Sequence, residues 1–168
     1  VALAAALAGA CTRFSDAQAE ALVRKYLAAL IEAYRASDEE VVDPLVGEVE
    51  GNRLVGLIGV KRDIGLFLDA KLTDVQFERF DRDGERLSVV TREQWYYRDR
   101  RIGSGEQVGD DSTDSYRLRY HVAQYKGRWV IAQVEFVDPP VVGRKLPPLK
   151  LDARAAHGLL AADAGESN

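Results

Sequence analysis

Glu93 lies in an alternating run, Leu87, Val89, Thr91, Glu93, Trp95 and Tyr97, that places six side chains on one face of an extended strand. A carboxylate held among apolar side chains has its pKa raised and is suited to act as a general base. The same position equally suits a carboxylate at a cavity mouth, paired with an arginine or hydrogen-bonded to a tyrosine, because structural pairs perturb acids as strongly as catalysis requires. Tyr116 and Tyr120 fall on one face of a second alternating run and are the available donors. The pattern puts no second acid on the inward positions. Trp95, Tyr97, Tyr116 and Tyr120 either line a ligand pocket or form core and cross-strand pairs with their phenols at the rim.

The other chemically capable residues are scattered. Asp110, Asp111 and Asp114 are expected in a long acidic loop between strands, without the glycine and final glutamate of a calcium-binding EF-hand. His121 has the opposite parity to Tyr120 and is read beside Arg117 and Arg119, a cationic setting that disfavours metal. His157 is far away in the tail, so no zinc spacing exists and no metal or other cofactor is expected. Gly56 and Gly59 precede Lys61-Arg62 without the Gly-Lys-Ser/Thr of a phosphate loop, and there is no Gly-x-Ser-x-Gly elbow.

Cys11 is the single cysteine and ends the small apolar run Val1 to Ala10. The run is shorter than the roughly 20 residues that span a bilayer. Three readings stand: lipidation of Cys11 after cleavage before it, secretion with cleavage near Ala8-Gly9-Ala10, or an uncleaved helix with a buried thiol. The lack of any methionine and of a charged start predicts upstream residues. Net charge is −4 with both signs interspersed, which argues against general nucleic-acid binding.

The elements that must position these residues follow from periodicity. Ser15-Asp16-Ala17-Gln18 is a capping box ahead of an apolar stripe, Leu22, Val23, Tyr26, Leu27, Leu30, Ile31 and Tyr34, and predicts a helix over 16–36. Ser37-Asp38-Glu39-Glu40 opens a short second helix that Pro44 disturbs or ends. A third helix is expected over 52–70, with Gly56, Gly59 and Gly65 marking close packing or a break. From Leu72 the period changes to two. Four strands follow, the last, 128–136, being apolar on both faces and therefore expected in a central or doubly covered position. Lys126-Gly127 is a tight hairpin turn, and Pro139-Pro140 ends the regular structure. The order is α+β: helices first, then an antiparallel meander of about four strands.

In the helix AEALVRKYLAALIEAYRASD, the strand RLSVVTREQWYYRD and the ending YRLRYHVAQYKGRWVIAQVEF, the chain resembles the NTF2-like (SnoaL-like) superfamily. Within it, the likeness is to the domain type of the plastid-division protein ARC6 and of many bacterial envelope proteins. The N-terminal run likewise resembles a bacterial lipoprotein signal, though Ala8 stands where a larger aliphatic is usual. These resemblances imply a curved sheet wrapped around the first helix with a cavity between them. They divide the chain into a signal remnant (1–10), a tether (11–15), an NTF2-like domain (16–138) and a Pro-rich connection and tail (139–168). They imply a non-catalytic envelope module for protein interaction or small-ligand binding, periplasm-facing and held to the membrane through Cys11, or else secreted. The alternative they leave open is a cavity isomerase, cyclase or dehydratase using Glu93 as base. The outer sheet face, with Arg92, Tyr96, Arg98, Arg117, Arg119 and His121, is the expected contact surface for a second copy or another envelope protein.

Overall fold

The computed structural model describes residues 14–84 and 86–143. Cys11, His157 and the tail beyond Gly143 lie outside the described residues. Helix α1 (Asp16–Ala36) begins at the expected capping box: the Gln18 amide donates to Ser15 Oγ at 3.2 Å and the Ser15 amide to Gln18 Oε1 at 2.8 Å. Its buried stripe, Ala19, Val23, Tyr26, Leu27, Leu30, Ala33 and Tyr34, lies against the sheet. Ser37 ends this helix in the left-handed region, and it is Asp38 that caps the following 3-10 segment, Glu39–Leu45, which contains Pro44.

The third helical segment differs from expectation. Helix α2 spans Glu48–Asp63, beginning earlier and stopping seven residues sooner. Gly65, at φ +73°, turns the chain out of the helix, so Phe67 and Leu68 belong to the first strand. Gly56 is not a close-packing site, since nothing lies within 4 Å of where its Cβ would be.

Strands β1 (Leu66–Asp83), β2 (Arg86–Arg101), β3 (Gln107–Tyr125) and β4 (Arg128–Phe136) form one antiparallel sheet in sequence order. The inward apolar residues of β1 are Ala70, Leu72, Val75, Phe77 and Phe80, spaced two, three, two and three. A period-two strand tolerates the odd steps only if an extra residue is looped out at each. The register does this at Thr73 and Glu78, so that Leu72, Val75, Phe77 and Phe80 stand opposite Trp95, Glu93, Thr91 and Val89. Further register irregularities lie between Tyr97 and Asp99 of β2 and at Ala132 of β4. The bulges bend the long strands around α1 and make the cone.

β4 is an edge strand, so of the two expected placements, central or covered on both sides, the central one is excluded. Its residues Val130 and Ile131 are nonetheless fully buried, because Val46 bridges Ile131 and the Gly47 amide donates to the Ile131 carbonyl at 2.9 Å. Gly47 suits this approach: a Cβ there would meet Ala132 Cα at 3.3 Å, a tight contact. The segment before α2 thus covers the edge that an unpaired strand would otherwise present.

Candidate functional site

The concave face of the sheet, α1 and α2 enclose a cavity of about 360 Å³. Its walls are Tyr26, Leu30 and Tyr34 of α1; Arg53, Leu57 and Lys61 of α2; and Glu93, Trp95, Tyr97, Tyr116, Leu118 and Tyr120 of the central strands. Leu57, Phe136 and Val142 are exposed apolar residues at the rim. The five expected pocket residues, Glu93, Trp95, Tyr97, Tyr116 and Tyr120, therefore line one space. Register is the cause: Glu93 stands opposite Tyr116, and Val89 opposite Tyr120, on a shared face.

Glu93 is completely buried and has no cation partner among the described residues. Oε1 accepts from the Thr91 hydroxyl at 2.7 Å and from the Tyr120 hydroxyl at 2.6 Å. Oε2 accepts from Trp95 Nε1 at 2.7 Å. Burial pushes its pKa up, and the three hydrogen bonds hold the rise in check.

A further carboxylate, Asp114, stands in the wall, contrary to the expectation that the inward positions carry no other acid, and another, Glu50, is buried behind it. Asp114 lies within β3, not in a loop, and has the same parity as Tyr116. It is opposite Trp95 and accepts from the Tyr116 hydroxyl at 2.7 Å and the Gly143 amide at 3.0 Å. Extending the alternation of Tyr116, Leu118 and Tyr120 back by one step would have found it. Glu50, on α2, is fully buried and had no such signal, because helix α2 carries no clear apolar stripe. Tyr26 donates to Glu50 Oε1 at 2.5 Å; Arg53 reaches Glu50 through Nε at 3.0 Å and Nη2 at 2.5 Å; and the Val134 amide donates at 3.2 Å. Glu50 therefore ties α1, α2 and β4 together behind the lining residues Tyr26, Arg53 and Val134. Lys61 is similarly held by Asp99, at 2.7 Å.

Tyr34 is the exception among these polar groups. Its side chain is buried (8 % exposed) on the cavity wall, and its hydroxyl has no hydrogen-bond partner among the described residues. Burial pushes its pKa up to about 12; the Arg53 charge opposes the rise, while those of Glu50 and Glu93 add to it.

The outer sheet face carries the expected arginines, and Arg92, Arg117 and Arg119 are neutralised within the chain. Arg92 and Arg117 face each other across β2 and β3, and bulged Glu78 bridges both, at 3.0 and 2.7 Å. Arg119 and His121 share Glu135, at 3.0 and 3.1 Å, so His121 sits beside a carboxylate and not only among cations. Arg98 donates to the Tyr96 hydroxyl at 2.7 Å, and Tyr96 bonds Asp111. Among the described residues no three His, Cys, Asp or Glu side chains are placed to hold a metal ion, and no helix is long and apolar enough to cross a membrane.

No family model matches the sequence, and no curated protein matches it. Among solved structures the chain is similar to the crystal structure of the intermembrane space region of chloroplast protein ARC6, at 16% sequence identity and a TM-score of 0.63, over 74% of this chain and 97% of that one. At that identity the likeness establishes a shared α+β architecture with that region.

Proposed function

We propose that the domain is a binding module that encloses an apolar guest in the cone, and not an enzyme. The carrying observation is that Glu93, Asp114 and Glu50 each accept, through both carboxylate oxygens, from donors of the protein itself. A general base needs a lone pair aimed at substrate, and three of the roughly four acceptor sites of Glu93 are already taken. What faces the space is mainly aromatic and aliphatic, as in sites that bind by shape. The guest is a small molecule or an apolar side chain of a partner protein, and both would enter past Leu57, Phe136 and Val142. Contact between copies through the outer face is the weaker reading, because its arginines must first give up carboxylates of their own chain.

N-phenyl-1-naphthylamine tests this reading. Its fluorescence is expected to rise saturably at one dye per chain, and to weaken in Leu118→Trp, which takes up part of the cavity. Unsaturable binding, or saturable binding unchanged in a folded Leu118→Trp, would count against the cavity as the site.

The Cys11 context supports a lipid-anchored, periplasm-facing placement of this module. Mass spectrometry of protein from a bacterial membrane fraction is expected to find a diacylglyceryl group on an N-terminal Cys11. A free thiol at that position, or cleavage after Ala10 without lipid, counts against the anchor.

A further inference from the structure

Several polar side chains around the cavity are committed to another protein group, and the Tyr34 phenol is not. Tyr26 donates to Glu50, Tyr116 to Asp114, and Tyr120, Thr91 and Trp95 to Glu93. A buried hydroxyl without a partner carries a desolvation penalty that no hydrogen bond offsets. Proteins keep such groups sparingly, and one in a cavity wall is suited to a partner that arrives with the guest.

The sign of that partner follows from the surroundings. A phenol is a stronger donor than acceptor, so the guest must bring an acceptor atom. An anionic acceptor is disfavoured. Arg53 already grips Glu50 and Lys61 already grips Asp99, while Glu93 and Asp114 add carboxylates with no cation beside them among the described residues. The wall is therefore rich in negative charge, and burying a further anion there is costly. A neutral oxygen satisfies the phenol without that cost.

We propose that Tyr34 is the recognition residue of the cone, donating its hydroxyl hydrogen to a neutral carbonyl oxygen on an otherwise apolar guest. The proposal rests on the reading of the cavity as a binding site and specifies the class of molecule it takes. It also separates Tyr34 from Tyr26, Tyr116 and Tyr120, whose hydroxyls hold the structure together. Tyr34 acts on the guest and not on the fold.

The test is calorimetric titration of three ligands that share a naphthalene body: 2-acetylnaphthalene, its hydrocarbon isostere 2-isopropenylnaphthalene, and 2-naphthoate. The ketone is expected to bind about tenfold more tightly than the other two, the scale of one buried hydrogen bond. In Tyr34→Phe the ketone and the isostere are expected to bind alike. The urea midpoint of Tyr34→Phe should equal or exceed that of the unaltered protein, whereas Tyr120→Phe should lower it. Equal binding of ketone and isostere to the unaltered protein overturns the role of Tyr34 and leaves the cavity reading intact. Tightest binding of naphthoate overturns the neutral-guest assignment. Failure of all three to bind overturns both readings.

Discussion

Glu93→Ala is expected to destabilise the domain by about 4 kcal/mol, because it orphans three buried donors at once, each carrying a penalty of about 1–3 kcal/mol that relaxation only partly relieves. The donors are the Thr91 and Tyr120 hydroxyls and Trp95 Nε1, which now converge on one carboxylate. With total stabilities of about 5–15 kcal/mol for domains of this kind, the loss is a large share of what holds the cone together. Urea unfolding monitored through tryptophan fluorescence measures it. A change below about 1 kcal/mol would show that the donors find other partners. Such a result would reopen Glu93 as a group free to act on a guest.

The protonation of Glu93 gives the same residue a pH signature. Its pKa in the folded protein is raised by burial above the value in the unfolded chain. Below the unfolded pKa both states are protonated and the contribution is fully favourable. As pH rises, the unfolded chain ionises first, and the contribution is lost progressively until pH passes the folded pKa. Glu39, Glu78 and Glu135 act in the opposite sense. Hydrogen bonds from Arg62 to Glu39, from Arg117 to Glu78 and from His121 to Glu135 hold these acids below the usual carboxylate range. The observable is therefore a difference: stability of the unaltered protein minus that of Glu93→Gln should fall with rising pH across the acid range. A flat difference would mean that Glu93 ionises alike in both states.

Arg53→Met is expected to cost about 3–5 kcal/mol, the scale of leaving a buried charge without its partner. The asymmetry lies in exposure. The Glu50 side chain is fully buried, whereas the Arg53 side chain is 44% exposed, so the carboxylate cannot recover its lost partner from water. Glu50→Gln in the same chain removes the stranded charge, keeps an acceptor for the Val134 amide and offers its own amide nitrogen as a donor to the Tyr26 hydroxyl. The double variant is accordingly expected to be more stable than Arg53→Met alone. If it is less stable, the cluster is held by its hydrogen-bond geometry and not by charge compensation.

Much of this arrangement is legible in the chain. The capping box at Ser15, the stripe from Val23 to Tyr34 and the alternation from Leu87 to Tyr97 are local patterns that secondary structure converts directly into position. Glu93 was found that way, and so were the four aromatic residues around it. Asp114 was within reach of the same rule, but the run of aspartates around it has the composition of a loop, and pairing with β2 overrides that preference. The helix expected over 52–70 failed at its end, because Phe67 and Leu68 continue an apolar spacing that is helical by coincidence. Gly65, in the left-handed region, was the contrary signal.

Other features are not local and had no trace in the pattern. The covering of the β4 edge depends on Val46 and Gly47, some 85 residues upstream of Ile131. The Glu50 cluster joins Tyr26, Arg53 and Val134 from three separate elements. The neutralisation of the outer arginines needs Glu78 to be looped out of β1 and Glu135 to fall in register with Arg119. The sequence by itself determined which residues share a face, because side-chain direction follows from backbone period alone. Only the tertiary structure decided which of them are already satisfied, as with Glu93, and which is left open, as with Tyr34. A hydrogen bond depends on where distant segments bring their atoms, and no spacing along the chain encodes that distance.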